Sequence, residues 1–323
     1  MRVAIIGAGI AGLSCALRLQ DGGHQVTLFD KGRGAGGRMS TRRTETPMGI
    51  ATFDHGAQYL TARDPGFVAA LDSWAAAGVA ARWPAAGDDA WVGTPGMNAI
   101  VKHLAEQAGD RGGDQGVVHW QHQVTAIRRA PSDRHIGSGW HIEPFAGDPF
   151  DAVVVAVPAE QVAPLLADHD PSIAAAARAC HSAPCWTAML AFAEPLAIAD
   201  DIVKHAGIIG WAARNTAKPG RGGPEAWVVQ ATPDWSTEHL EDPVDSVVDR
   251  LLAALGEHGA GPMPTPIVRT GHRWRYARAT ATDVGYLWNH DARLGAAGDW
   301  LLAPRIESAW LSGRMLADAI LTG

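Results

Sequence analysis

A chain of 323 residues, 47% hydrophobic and 19% charged, can bury a large core in two interleaved domains, and that composition excludes a disordered protein. Its formal net charge of −7 argues against a general nucleic-acid binder, which needs a strongly basic face. The three cysteines (Cys15, Cys180, Cys185) are odd in number and lack metal-site spacing, so neither a disulfide framework nor a zinc site is expected, and a reducing, cytoplasmic compartment fits best.

The chain opens MRVAIIGAGIAGLSCALRL, an apolar run after Arg2 with the outline of a secretory leader. Glycines at 7, 9 and 12 and the lack of a small-residue cleavage site weaken that reading. No stretch reaches about 18 strongly apolar residues, so no membrane span is predicted. Residues 2–6 and 25–30 read as short buried strands flanking a helix over 10–22, a βαβ unit that implies a parallel sheet. A helix over 65–78 is predicted from Asp64 as N-cap and Pro65 at the first helical position, and another follows Pro95 in MNAIVKHLAEQ. Residues 117–129 and 139–145 alternate as an antiparallel meander, and 151–159 returns as a buried strand.

From 160 to 280 the pattern changes to strands at 185–193, 206–213, 226–231 and 266–276 around a helix near 243–257, an α+β domain. The chain closes with one more strand, a turn and a helix. The Gly-, Pro- and Arg-rich stretches 109–116, 130–139 and 217–224 read as exposed loops. The expected division sets 1–63, 91–160 and 281–323, a Rossmann-like three-layer domain with a parallel sheet and a meander, against 64–90 and 161–280, the interleaved α+β domain.

GAGIAG follows a strand and opens a helix. Gly7 allows the tight turn, Gly9 lets the backbone approach a pyrophosphate and Gly12 lets helix and strand pack closely, with Ala8 and Ala11 in the same turn. The helix N-terminus offers unpaired N–H groups and a positive dipole end to phosphates. Asp30, 18 residues after Gly12, ends the second strand, where a carboxylate can accept from a ribose diol. This fingerprint alone does not separate NAD from FAD. KGRGAGGRMSTRR at 31–43 and AAGDW near the C-terminus do, because a longer flavin dinucleotide uses a second, distant acidic turn.

These motifs resemble the glutathione-reductase-type flavoproteins of the amine-oxidase superfamily, and more closely the renalases. The resemblance runs through GAGIAGLSC, DKGRGAGGRMSTRR, DHGAQYLTAR, PGMNAIVKHLAE, HQVTAI, FDAVVVAVPAEQV, HRWRYARAT and AAGDWLL; GAQY and the WRY stretch are its more specific parts. It implies non-covalent FAD, with Arg38 on the pyrophosphate, Gln58 and Tyr59 lining the flavin, the Val124 backbone at the adenine, and Asp299 on the ribityl chain. It also implies that the helix around Ile306 aims its N-terminus at the pyrimidine end, where a dipole stabilises the anion of reduced flavin. Gly37 and Lys31 complete the candidate cofactor set, although Lys31, like Arg33, reads equally well as solvated surface. Many amine oxidases hold a water-bridged lysine at flavin N5; none of the four lysines here (31, 102, 204, 218) lies in a segment expected to reach it.

The activity so implied is oxidation of 2- and 6-dihydro-NAD(P) to NAD(P)+ by hydride transfer to flavin N5, with O2 reoxidising the flavin to give hydrogen peroxide. Substrate aromatisation leaves little work for acid–base groups, so positioning dominates. Gln58 and Tyr59 with Trp274, Tyr276 and Trp288 are the candidate catalytic slot, Arg42 and Arg43 candidate guides for an anionic dinucleotide, and Arg214 and Asn215 weaker substrate contacts. Competing readings are an amine oxidase or desaturase of the same fold, a non-enzymatic Rab-escort-like binder, and an NADP reductase, which Asp30 opposes by repelling a 2′-phosphate.

Overall fold

The first strand, Arg2–Ile6, is buried on both faces from Val3 onward, and that decides how the N-terminal half is layered. In the computed structural model, which describes residues 1–112, 118–130 and 139–323, this strand sits at the centre of a six-stranded sheet. The order across the sheet is Leu287–Asn289, Leu294–Ala296, Ala152–Val155, Arg2–Ile6, Gln25–Phe29 and Val118–His119, and only the Leu287–Asn289 edge strand runs antiparallel to its neighbour. Ile5 faces the helix Ile10–Asp21, whose Gly12 lies against it. Ala4, Ile6, Phe29, Val153 and Val155 face the opposite side, where Trp140, Ile142, Phe150, Val162 and Ile173 cover them. Three layers result.

The C-terminal helix Ile306–Thr322 packs beside Ile10–Asp21, and small residues set how close they come. A Cβ at Gly313 would fall 2.1 Å from the Ala11 carbonyl, and Ser14 Oγ donates to the Trp310 carbonyl at 2.9 Å. The far layer holds the hairpin Ala126–Arg129/Trp140–Glu143 and two helices, Ala159–Leu166 and Pro171–Ala179. The sequence reading missed both helices. Yet Asp170–Pro171 repeats the signal that marks the helix Pro65–Ala76: each aspartate accepts from backbone N–H groups of its first turn. The expected meander divides, since Val118–His119 joins the parallel sheet while 126–129 pairs with 140–143. Of the loop expected at 109–116, residues 109–112 are instead the last turn of the helix Asn98–Gly112 and the rest lie outside the described residues, as do 131–138 of the loop expected at 130–139.

A second sheet, antiparallel and five-stranded, has the order Ile202–Ala206, Ile209–Arg214, Glu225–Ala231, Ser182–Phe192, Val268–Ala279. The helix Val244–Gly256 buries Val247, Val248, Leu251 and Leu255 against it, together with Trp186 and Trp227. The other face receives Ala51 and Phe53 from a hairpin, Thr41–Thr46/Gly49–Asp54, for which the sequence predicts no strands. The strand expected over 206–213 is two strands turning at Gly207, whose φ of +57° suits glycine.

Two compact units emerge: Met1–Gly37, Val101–His181 and Ala279–Gly323 in one, Arg38–Ile100 and Ser182–Arg278 in the other. Residues 38–63 and 91–100, placed by the sequence reading with the dinucleotide domain, pack in the second unit. Among the described residues, no helix is long and apolar enough to cross a membrane.

Candidate functional site

In the first unit the glycine turn has the form its spacing predicts. Gly7 adopts φ +104°, and a Cβ there would fall 2.5 Å from the Ala156 carbonyl; one at Gly12 would fall 2.0 Å from the Gly7 carbonyl. Gly9 differs. A Cβ there would meet nothing within 4 Å, so its neighbourhood is open space at a helix N-terminus that has no side-chain cap. Asp30 closes the turn from the next strand, Oδ2 accepting from Ala8 N at 2.8 Å and Oδ1 from Gly32 N at 2.6 Å. Lys31 instead reaches Gln161 Oε1 at 3.3 Å.

Gly298 and Asp299 open a short 3-10 turn in the same unit, with Asp299 buried. The helix beginning at Ile306 has Arg305 as an extended N-cap residue without a side-chain cap. Val124 packs against the core below the hairpin, and the indole Nε1 atoms of Trp288 and Trp300 are buried without a hydrogen-bond partner. Cys15 is buried, which pushes its thiol far up in pKa and makes it an inert apolar residue.

The second unit builds its site around DHGAQY. Gly56 packs so closely that a Cβ would fall 2.1 Å from the Arg38 carbonyl, which accepts from Ala57 N at 2.9 Å. The GGR turn and GAQY are therefore one local structure. The loop carbonyls are tied down from several sides. Gln58 Nε2 donates to Asp54 O at 2.5 Å and Gly56 O at 3.1 Å, Gln230 Nε2 to Gly56 O at 2.8 Å, and Trp274 Nε1 to His55 O at 2.8 Å. The His55 ring stacks on Trp274 at 5.3 Å and meets His272 edge-on at 5.1 Å. Burial, then the fields of His272 and Arg42, lowers His55 to about 4, so its imidazole is neutral at pH 7. Tyr59 packs on Trp211 at 5.2 Å.

Beneath the loop lies a cluster the sequence reading missed. Asp54 is fully buried: Oδ1 accepts from Thr41 Oγ1 at 2.7 Å and Met97 N at 3.0 Å, and Oδ2 from Arg221 at 2.5 Å and Lys218 at 3.2 Å. Burial alone would raise its pKa; Lys218, Arg221 and these hydrogen bonds overturn that and hold it at about 2. Lys218, also fully buried, donates to Gln58 Oε1 at 3.1 Å and lies 5.2 Å from the centre of the Trp83 ring. Desolvation lowers its ammonium from 10.5 to about 8 despite Asp54. Lys218, in a segment not expected to reach a flavin, thus touches the loop expected to line one, and 217–224 is a loop exposed at its glycines but buried at Lys218.

Three expected site residues hold the scaffold. Arg214, partly buried, binds Asp201 Oδ1 at 2.7 Å, Glu225 and the Ile198 carbonyl at 2.7 Å, so its guanidinium is engaged in scaffold ion pairs. Asn215, fully buried, spans Asp54 N at 3.3 Å and Thr52 O at 2.8 Å, so its amide is likewise engaged in the scaffold. Trp274 clamps the His55 carbonyl. Trp274 and Tyr276, both partly buried, belong to the second unit and Trp288 to the first.

An open glycine cradle on a parallel sheet, a ribose-type aspartate and a second acidic turn before an uncapped helix define a dinucleotide-binding fold, and the open space at Gly9 fits a pyrophosphate. Residues 5–73 match an NAD(P)-binding Rossmann-like domain and residues 84–321 match the flavin containing amine oxidoreductase family. The chain belongs to that family and is an FAD-dependent oxidoreductase.

The fold is similar to putrescine oxidase (TM-score 0.74, 13% identity, all of both chains covered) and to cyclohexylamine oxidase from Brevibacterium oxydans IH-35A (TM-score 0.70, 13% identity, 99% and 98% covered). Over 56 residues, 17% of this chain, it is 43% identical to 4,4'-diapophytoene desaturase from Staphylococcus aureus; the matched stretch spans only 10% of that protein.

Proposed function

We propose that this flavoprotein is a renalase-like oxidase that converts 2- and 6-dihydro-NAD(P) to NAD(P)+. The charge around DHGAQY carries the proposal. Arg42, paired with Phe53 in the hairpin, lies close enough to lower the pKa of both His55 and His272. Asp54, whose negative field also reaches His55, is already engaged by two buried cations. The balance is positive. That favours a pyrophosphate-bearing substrate and opposes an ammonium.

Bound non-covalently, FAD supplies the hydride acceptor at N5 and the route to O2 and hydrogen peroxide. The chain's own residues hold and desolvate the nicotinamide ring. Tyr59 and Trp211 offer flat apolar surface, and the neutral His55 brings no charge. Both N–H groups of Gln58 are engaged inside the loop, so its amide acts as a strut.

The competing reading is amine oxidation or desaturation, and Lys218 is the observation in its favour, because a lysine does reach the loop. Its Nζ, however, is sealed between Asp54, Gln58 and the Trp83 ring, the opposite of a lysine open to a cofactor-bound water. Anaerobic mixing of the holoenzyme with borohydride-reduced NAD isomers, and separately with putrescine and cyclohexylamine, decides between them. Bleaching of the flavin by the dihydronicotinamides alone is expected; bleaching by the amines alone overturns the proposal. Arg42→Glu is expected to raise the half-saturating dinucleotide concentration about tenfold, roughly 1.4 kcal/mol, with the limiting rate little changed.

A further inference from the structure

Gln58 has an amide that fits its site in one orientation only. Its nitrogen donates to the Asp54 and Gly56 carbonyls, which uses both N–H groups, and its oxygen accepts from Lys218. Turned over, the amide would set oxygen against two carbonyls and N–H groups against an ammonium. Lys218 therefore opposes the flipped amide, and the two carbonyls reinforce the choice.

Lys218 is itself held rigidly. Its Nζ is shared with Asp54 Oδ2 at 3.2 Å, and its backbone N donates to the Asn215 carbonyl at 3.1 Å. Asn215 in turn pins the end of the strand Gly49–Asp54 through Asp54 N and Thr52 O. An apolar side chain would fill this fully buried space without the desolvation cost of an ammonium. It would not select the orientation of an amide.

We propose that Lys218 is a positioning residue: by donating to Gln58 Oε1 it fixes the amide that ties the Asp54–Gln58 loop closed, and so sets Tyr59 on Trp211, in the loop to which the proposed function assigns the reaction. The role is independent of which substrate the enzyme takes.

The test is a double-mutant cycle in the holoenzyme with Lys218→Met and Gln58→Met, read by the visible circular dichroism of bound FAD and by the limiting rate of flavin reduction with 6-dihydro-NAD. Each single variant is expected to change the dichroism in the same sense and to slow reduction about tenfold. The half-saturating concentration should move much less, and the double variant should match Gln58→Met alone. Effects that multiply in the double variant overturn the proposal, as does a Lys218→Met enzyme that melts lower with dichroism and rate unchanged.

Lys218→Gln, which keeps an N–H donor without the charge, is expected to retain the dichroism and most of the rate. It decides the matter where Lys218→Met fails to fold, and loss of both signals in Lys218→Gln refutes the role. Wild-type enzyme that 6-dihydro-NAD does not reduce sinks the substrate proposal instead, and the cycle in the dichroism still decides for Lys218.

Discussion

Asp54→Asn is expected to destabilise the protein by about 3–5 kcal/mol, a large share of the roughly 5–15 kcal/mol that holds a typical domain folded. The carboxylate is the shared counter-charge of Lys218 and Arg221, and all three side chains are fully buried. Asparagine keeps the shape and the Thr41 and Met97 contacts but leaves two desolvated cations facing each other.

The pH dependence gives the loss a signature. The Lys218 ammonium already sits at about 8 in the folded chain against 10.5 for an ordinary lysine. Between those values the unfolded chain holds a proton that the folded chain has released, so this group makes stability rise with pH. Without Asp54 the folded value falls further and the rising limb begins at lower pH, so Asp54→Asn should lose more stability at pH 6 than at pH 9. On the acid side, wild type should lose the Asp54 contribution as pH falls from its unfolded value near 3.8 through about 2. Urea unfolding across this range measures both limbs. An unfolding free energy for Asp54→Asn within about 0.5 kcal/mol of wild type at pH 6 would show that the cluster contributes nothing.

The contrast between this cluster and the glycine turn shows what the sequence could report. The βαβ unit, its fingerprint and Asp30 are local: residues within 30 positions of one another, with strand and helix periods on either side, define their own geometry. The hairpin Thr41–Thr46/Gly49–Asp54 escaped because TRRTET is polar and half exposed, with no alternation strong enough to mark a strand. Gly207 was visible inside the expected strand 206–213, and a lone glycine there is a turn signal.

Lys218 was not legible at all. Its surroundings, NTAKPGRGG, have the composition of a solvated loop, and the carboxylate that draws it inside lies 164 residues away in the chain. Arg214 escaped for the same reason. Its partners Asp201 and Glu225 stand on adjoining segments of a sheet whose register only the folded structure sets. A charged side chain is taken for surface until its partner is known. In this chain the partners are what turn three basic residues of one short segment into struts, Lys218 and Arg221 fully buried and Arg214 partly so.

Gly9→Ala should bind FAD about a hundredfold more weakly, roughly 2.7 kcal/mol, while the apoprotein melts at or slightly above the wild-type temperature. Gly9 has φ −77° and ψ −177°, extended backbone that alanine adopts freely, and the added methyl meets no protein atom within 4 Å. It enters the open space that a pyrophosphate fills above the helix N-terminus, so the whole penalty falls on the cofactor.

Gly12→Ala is the control with the opposite pattern. Its methyl would lie 2.0 Å from the Gly7 carbonyl and 3.3 Å from Ile5, so helix and strand must separate, at a cost of about 1–3 kcal/mol even without cofactor. Thermal melts of both apoproteins, with FAD titrations followed by flavin fluorescence, separate the two effects. Wild-type FAD affinity in Gly9→Ala would place the pyrophosphate somewhere other than this turn, and with it the direction in which the dinucleotide runs from Asp30.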